Sequence, residues 1–271
     1  MSALSPACRR ELEGVRGQGG IRSIDIGRRG ERLDAHNSPG LFNVTADLFD
    51  FTGLKAADLF ARLRRDGRFH FEVEHAFWRP SNAAELRWYY AHTASYLFAN
   101  AVHNDGQAHI IQKEDAPVLD FSGGVGNIVL SLASRGIESV YTGIGLQEFQ
   151  FARHRVRKRN LQSLVRFVEP YNDEWQLDPL AALLPPRTYG CILAFEVLEH
   201  IPHYERTVAA MVRALRPGGR ICESAPFAPP LPVSDQEDAR VHLSNGGIRM
   251  ATAMGPSMRR EGRCWRKGLP P

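Results

Sequence analysis

Asp120 is followed closely by Gly123, Gly124 and Gly126, and farther along the chain Glu196, Glu199 and His200 stand within one short segment. Glycines free the backbone for a tight turn and let a ligand approach it without meeting a Cβ. A turn of this kind that opens a helix aims N–H groups at whatever lies above the carboxyl end of the preceding strand. That is the geometry of a ligand site. The second segment supplies carboxylates and an imidazole, the side chains that hold or move protons near neutral pH.

The elements that must position these residues can be read on either side of them. Val118–Phe121 has the length and composition of a short buried strand, with Pro117 just before it. Ile128, Val129, Leu132 and Ala133 then recur at helical spacing, and Gly136 is placed as a C-terminal cap with Arg135 in the last turn. The pattern continues as a strand over Ser139–Ile144, a helix over Gln147–Asn160 and a strand over Val165–Val168. After Pro185 and Pro186 come a strand over Cys191–Phe195 and a helix over His203–Leu215. Pro217, Gly218 and Gly219 then deliver the chain into a strand over Arg220–Ser224. Strands alternating with helices signal a parallel sheet with crossovers.

Two nucleotide chemistries fail on spacing. Counting from Gly124 and Gly126 puts Val129 where the third glycine of G-x-G-x-x-G belongs, and Gly145 stands where an acid should end the second strand. No G-x-x-x-x-G-K-[ST] phosphate loop is present. Hydride transfer and nucleotide hydrolysis are both disfavoured.

What remains matches another pattern. Val118-Leu-Asp-Phe-Ser-Gly-Gly-Val-Gly, Glu196-Val-Leu-Glu-His-Ile-Pro and Leu215-Arg-Pro-Gly-Gly-Arg, in this order, resemble the class I S-adenosylmethionine-dependent methyltransferases over about Pro117 to Phe227. The resemblance implies a doubly wound, mostly parallel α/β sheet, with S-adenosylmethionine across the carboxyl ends of the first, second and fourth strands. It implies that Asp120 helps hold the methionine ammonium and that the Gly124 and Gly126 backbone approaches the methionine moiety. Glu196 would form the floor where cofactor meets substrate, and Tyr171 or Asp173 would contact adenine. Ser122 replaces the first glycine of the family's turn, a change that is tolerable where the backbone torsions are ordinary. Gly145 replaces the acid that grips the ribose hydroxyls, a loss of about 1.5–3 kcal/mol for one charge-assisted bond. Gln147 or Glu148 could substitute. For proton removal from an acceptor the candidates are Glu199, His200 and His242, the last because the family often brings a histidine back from beyond the fifth strand. For Glu199 and His200 a second role is open, orienting a loop or capping the next helix.

The 271 residues are 43% hydrophobic with a formal net charge of +4, enough for one large domain with an extension and only weakly suggestive of an anionic partner. Residues 1–40 read as irregular, 41–110 as a helical extension and 111–271 as the cofactor-binding domain. Within the extension, Leu54–Asp66 has amphipathic spacing and Leu86–Val102 is rich in aromatics. Trp88, Tyr89 and Tyr90 fan over most of a turn, so with Tyr96 they either pack the extension onto the domain or line a substrate cavity as a lid. The arginines of Gln147–Asn160 read as a solvated face. The tail beyond Pro226 shows a short helix around Ile248–Met254 and basic residues to the end.

Cys8, Cys191, Cys222 and Cys264 lack C-x-x-C spacing and read as buried thiols of a reducing compartment. With no signal-like or membrane-spanning run, a cytoplasmic protein is expected. No metal site is expected, because no His or Asp pair shows ligand spacing. The function expected is methyl transfer to a small molecule, in natural-product biosynthesis by inference from the aromatic lid; a catalytically silent binding subunit is the alternative. Neither nucleic acid nor membrane is an expected partner, and a homodimer is compatible with the sequence.

Overall fold

The computed structural model describes residues 23–26, 31–34, 39–55, 58, 97, 106–143, 145–168, 183–201, 204–224 and 246–269. Two short strands, β1 (Ser23–Ile26) and β2 (Glu31–Asp34), pair antiparallel by themselves. Residues 1–40 are therefore not uniformly irregular: Ser-Ile-Asp-Ile alternates as strands do, and Glu-Arg-Leu-Asp pairs with it. Helix α1 (Pro39–Thr52) follows. It ends at Gly53, whose φ of 66° and N–H bond to the Phe49 carbonyl at 3.0 Å make a left-handed cap. Leu54 and Lys55, expected to open a helix, are not helical, while Asp58 is. The rest of that segment and the aromatic stretch lie outside the described residues, except for Leu97, which is helical and buried.

The main sheet comprises β3 (Val118–Phe121), β4 (Ser139–Thr142), β5 (Val165–Phe167), β6 (Tyr189–Phe195), β7 (Leu215–Ser224), β8 (Met258–Glu261) and β9 (Cys264–Lys267). Their order is β5-β4-β3-β6-β7-β9-β8. The first five are mutually parallel, and β9 runs antiparallel to both β7 and β8. The helices between them are α2 (Asn127–Ser134), α3 (Leu146–Lys158), α4 (Tyr204–Ala214) and α5 (Gly246–Met254). This is the doubly wound, mostly parallel sheet that the strand and helix alternation predicts.

The central strands are covered on both faces, which explains their unbroken apolar runs. On one face Leu119, Ile192, Ala194 and Ile221 pack against Tyr204, Val208 and Met211 of α4 and Met250 and Met254 of α5. On the other, Val118, Cys191, Leu193 and Cys222 meet Ile128 and Leu132 of α2. A third cluster joins α2 to α3 through Val129, Ala133, Phe149, Ala152 and Val156, with Tyr141 and Val165 beneath.

Three expectations change. The strand expected from Arg220 begins at Leu215: Tyr189 pairs with Leu215 but Cys191 pairs with Arg220, so the register shifts around Pro217 and Gly218, the latter at φ 74°. The basic tail forms the β8–β9 hairpin, whose turn places Gly262 at φ 63°. Cys222 and Cys264 are not free thiols but a disulfide across β7 and β9, where they are directly opposed. That pairing removes the cysteine argument for a reducing compartment; Cys191 remains a buried thiol, and its burial pushes the pKa up to about 12. Among the described residues no helix is long and apolar enough to cross a membrane.

Candidate active site

The order of strands reverses between β3 and β6, so the crevice outside their carboxyl ends is where an open parallel sheet accepts a ligand. Asp120 lies on β3 opposite Tyr141 of β4 and Leu193 of β6, and its side chain is buried. The chain then turns through Ser122 at φ 65°, Gly124 at φ 50° and Gly126 at φ 77° into α2. The condition of ordinary torsions at Ser122 is therefore not met; a left-handed non-glycine residue costs roughly 1–2 kcal/mol, and such residues cluster at ligand sites.

The turn is built tightly enough to require its glycines. A Cβ at Gly123 would overlap Asp120 Oδ2 and lie 2.7 Å from Asp120 Cγ and 2.9 Å from Tyr141 Cδ2. A Cβ at Gly126 would lie 2.8 Å from the Ala152 Cβ of α3. Gly123 N–H donates to the Thr142 carbonyl at 2.9 Å, and Gly126 N–H to the Gly123 carbonyl at 2.9 Å.

Two side chains that sequence reasoning missed hold this turn. Tyr141, fully buried, donates its hydroxyl to the Gly124 carbonyl at 2.5 Å. Burial first, and then the Glu148 and Asp120 charges, raise its pKa well above the ordinary tyrosine value, so it stays a donor. Arg155 of α3 donates to the Val125 carbonyl at 2.7 Å, to Asn127 Oδ1 at 2.6 Å and to Asp47 Oδ2 at 2.8 Å. Arg155 is buried, so the arginines of α3 are not simply a solvated face. Asp47, buried in α1, is also met by Arg159 at 2.8 Å and Lys158 at 3.3 Å. No sequence signal marked the Tyr141 hydroxyl; for α1 the spacing of Val44, Leu48 and Phe51 was available.

At the carboxyl end of β6, Glu196 adopts φ 51° and is exposed. Its Oε1 accepts from the Ser224 hydroxyl at 2.9 Å and its N–H donates to the Ser224 carbonyl at 2.6 Å, tying the ends of β6 and β7 together. Glu196 thus stands at the carboxyl end of β6, with its carboxylate held on the β7 side.

Residues 59–260 match a family model described as a methyltransferase domain. The chain belongs to this methyltransferase family. Its strand order and motifs are those of the class I S-adenosylmethionine-dependent methyltransferases, whose cofactor is S-adenosylmethionine. Over 130 residues the chain is 26% identical to a ubiquinone biosynthesis O-methyltransferase of Saccharophagus degradans, an alignment that takes in 48% of this chain and 50% of that protein. The chain therefore spans about half the length of the curated relative it matches. A geranyl diphosphate methyltransferase solved with GPP and sinefungin is 19% identical, with 60% of this chain and 63% of that one covered and a TM-score of 0.45. A phosphoethanolamine N-methyltransferase 2 of Haemonchus contortus, solved with S-adenosyl-L-methionine, is 18% identical, with 56% and 36% covered and a TM-score of 0.44.

The structure places Asp120 on β3 and Ser122, Gly124 and Gly126 in the turn that follows, with Glu196 at the end of β6 across the switch point. Gln147 lies half-buried in the first turn of α3, beside the buried Glu148. Glu199 sits in a 3-10 turn, Leu198–His200, and is fully buried. His200 has its backbone in that same turn; its side chain, His242, Tyr171, Asp173, Trp88, Tyr89, Tyr90 and Tyr96 lie outside the described residues. Among the described residues no group of three or more His, Cys, Asp or Glu side chains is placed to hold a metal ion.

Proposed function

We propose that this methyltransferase moves the sulfonium methyl of S-adenosylmethionine to an oxygen, nitrogen or carbon of a small-molecule acceptor, in a natural-product or related biosynthetic pathway. The observation that carries the cofactor assignment is the Gly123 cradle: a turn closed so tightly on a buried carboxylate that no Cβ fits between them. A buried aspartate beneath a glycine turn suits a cationic amino-acid moiety, because the opposite charge offsets the cost of burying both. Asp120 would hold the ammonium, and the Gly124–Gly126 backbone would lie along the methionine chain. When bound, the cofactor supplies an electrophilic methyl on a positively charged sulfur.

The chain's own residues would do the rest. Tyr141 and Arg155 fix the turn from below and behind, so little ordering remains to be done on binding. Glu196, pinned by Ser224, would form the floor against which the acceptor is aligned. Glu199 and His200 are the proposed proton acceptors or their positioning groups, with His242 a third candidate. The relative named for O-methylation in ubiquinone biosynthesis supports a small acceptor and puts oxygen first.

Calorimetric titration with S-adenosylhomocysteine tests the reading. The wild type is expected to bind, Asp120→Ala to lose about tenfold to a hundredfold in affinity, the range of one charge-assisted contact, and His200→Ala to bind as the wild type does. Absence of binding at millimolar cofactor overturns the enzyme assignment; normal binding by Asp120→Ala overturns the site.

A further inference from the structure

Gly145 closes the loop after β4 and is the N-cap of α3, with its carbonyl accepting from Phe149 N–H at 2.8 Å. Ser, Thr, Asp and Asn are the favoured residues at such a position. Its backbone does not need glycine: φ is −75° and ψ 116°, extended torsions that any residue adopts. Space explains the choice. A Cβ at Gly145 would lie 2.9 Å from Glu148 Cδ and 3.5 Å from Glu148 Cγ, and would overlap Glu148 Oε2 outright. The glutamate, one helical turn on, folds back so that its carboxylate fills the volume that a side chain at 145 would occupy. Glu148 is buried there, so its carboxylate lies beside Gly145, just beyond the carboxyl end of β4, as Asp120 lies near the carboxyl end of the adjacent β3.

Resting on the cofactor assignment above, we propose that Glu148 is the carboxylate that binds the ribose hydroxyls of the cofactor, in place of an acid at position 145. Gly145 and Glu148 form an exchanged pair: the glycine exists to admit the glutamate. A diol facing an anionic carboxylate can donate two hydrogen bonds to its two oxygens, and Glu148 offers that charge from the first turn of α3. Gln147, the neighbouring candidate, is neutral and is not the side chain that fills the Gly145 space.

The test uses the full chain and two probes, S-adenosylhomocysteine and 5′-methylthioadenosine, which share the nucleoside but not the amino-acid end. Glu148→Gln is expected to weaken both by the same factor, about tenfold or more, as loss of a charge-assisted contact does. In the double variant Glu148→Ala/Gly145→Asp, the space is vacated and the acid returned to the strand end, and affinity for both probes is expected within about threefold of wild type. This double variant also decides the matter should Glu148→Gln fold poorly. Unchanged affinity in Glu148→Gln, a loss confined to S-adenosylhomocysteine, or no recovery in the double variant each overturns the proposal. A wild type that binds neither probe overturns the cofactor reading and this inference with it. A wild type that binds both while Glu148→Gln is unaffected overturns this inference alone.

Discussion

Helix α1 and strand β9 both lie outside residues 59–260, the stretch that matches the family model, and the two are fastened to the domain by opposite means. Helix α1 is held by Asp47, a buried carboxylate serving Arg155, Lys158 and Arg159 of α3, and by Phe51 packed on Phe151 with ring centroids 5.3 Å apart. Strand β9 is held covalently, through Cys222–Cys264, and by Trp265, whose indole N–H donates to Glu223 at 3.2 Å. The difference lies in what each fastening reaches. Arg155 passes from Asp47 straight to the Val125 carbonyl and Asn127, so the α1 contact ends in the glycine turn. The disulfide ties β7 to β9, one strand in from the β8 edge and on the far side of β6 from that turn.

The largest effect should come from breaking the first fastening. Asp47→Ala removes the carboxylate that faces the buried Arg155, and loss of one partner of a buried ion pair costs about 3–5 kcal/mol. Urea unfolding should show that loss. Because Arg155 also orders Val125 and Asn127, affinity for S-adenosylhomocysteine should fall too, which calorimetry under native conditions would measure. If stability falls while affinity holds, α1 is a structural brace and the comparison loses its point.

Next comes the second fastening. Cys222 and Cys264 are 42 residues apart in sequence, and releasing a crosslink of that span destabilises by about 2–4 kcal/mol. Thermal melting of Cys222→Ala/Cys264→Ala, or of the wild type under reductant, should show the loss. Cofactor affinity should stay within about twofold of wild type, since β9 lies two strands beyond β6, away from the β3–β6 crevice. A large drop in affinity would make the two fastenings equivalent.

How much could be read from the sequence follows the same division. The parallel strands and their helices were legible because a strand buried on both faces writes an apolar run, as in Cys191–Phe195, and glycines such as Gly136 punctuate the helices. The turn was legible because Gly123, Gly124 and Gly126 stand together. The fastenings were not. Asp47 and Arg155 are 108 residues apart, and each alone resembles an ordinary exposed charge; only the fold buries them together. Cys222 and Cys264 likewise lack the spacing that announces a pair, because a long excursion through α5 separates adjacent strands. At Gly145 the missing acid was evident in the sequence, which left Gln147 and Glu148 open as substitutes; that Glu148 is the one folded back into the Gly145 space depends on the fold.

The smallest expected effect belongs to Tyr141, which grips the turn from inside the sheet, independently of either fastening. Tyr141→Phe removes the hydroxyl bond to the Gly124 carbonyl and should cost about 1 kcal/mol at neutral pH. Its pH dependence separates it from a packing defect. Burial, Glu148 and Asp120 hold the native pKa well above that of an exposed tyrosine, about 10. Above about pH 10 the unfolded chain sheds this proton while the native chain keeps it, so the unfolded state binds fewer protons and wild-type stability falls as pH rises. Phenylalanine has no proton to lose. The gap between Tyr141→Phe and wild type should therefore narrow from neutral to alkaline pH in urea melts, and parallel stability curves for the two would remove Tyr141 from the grip on the turn.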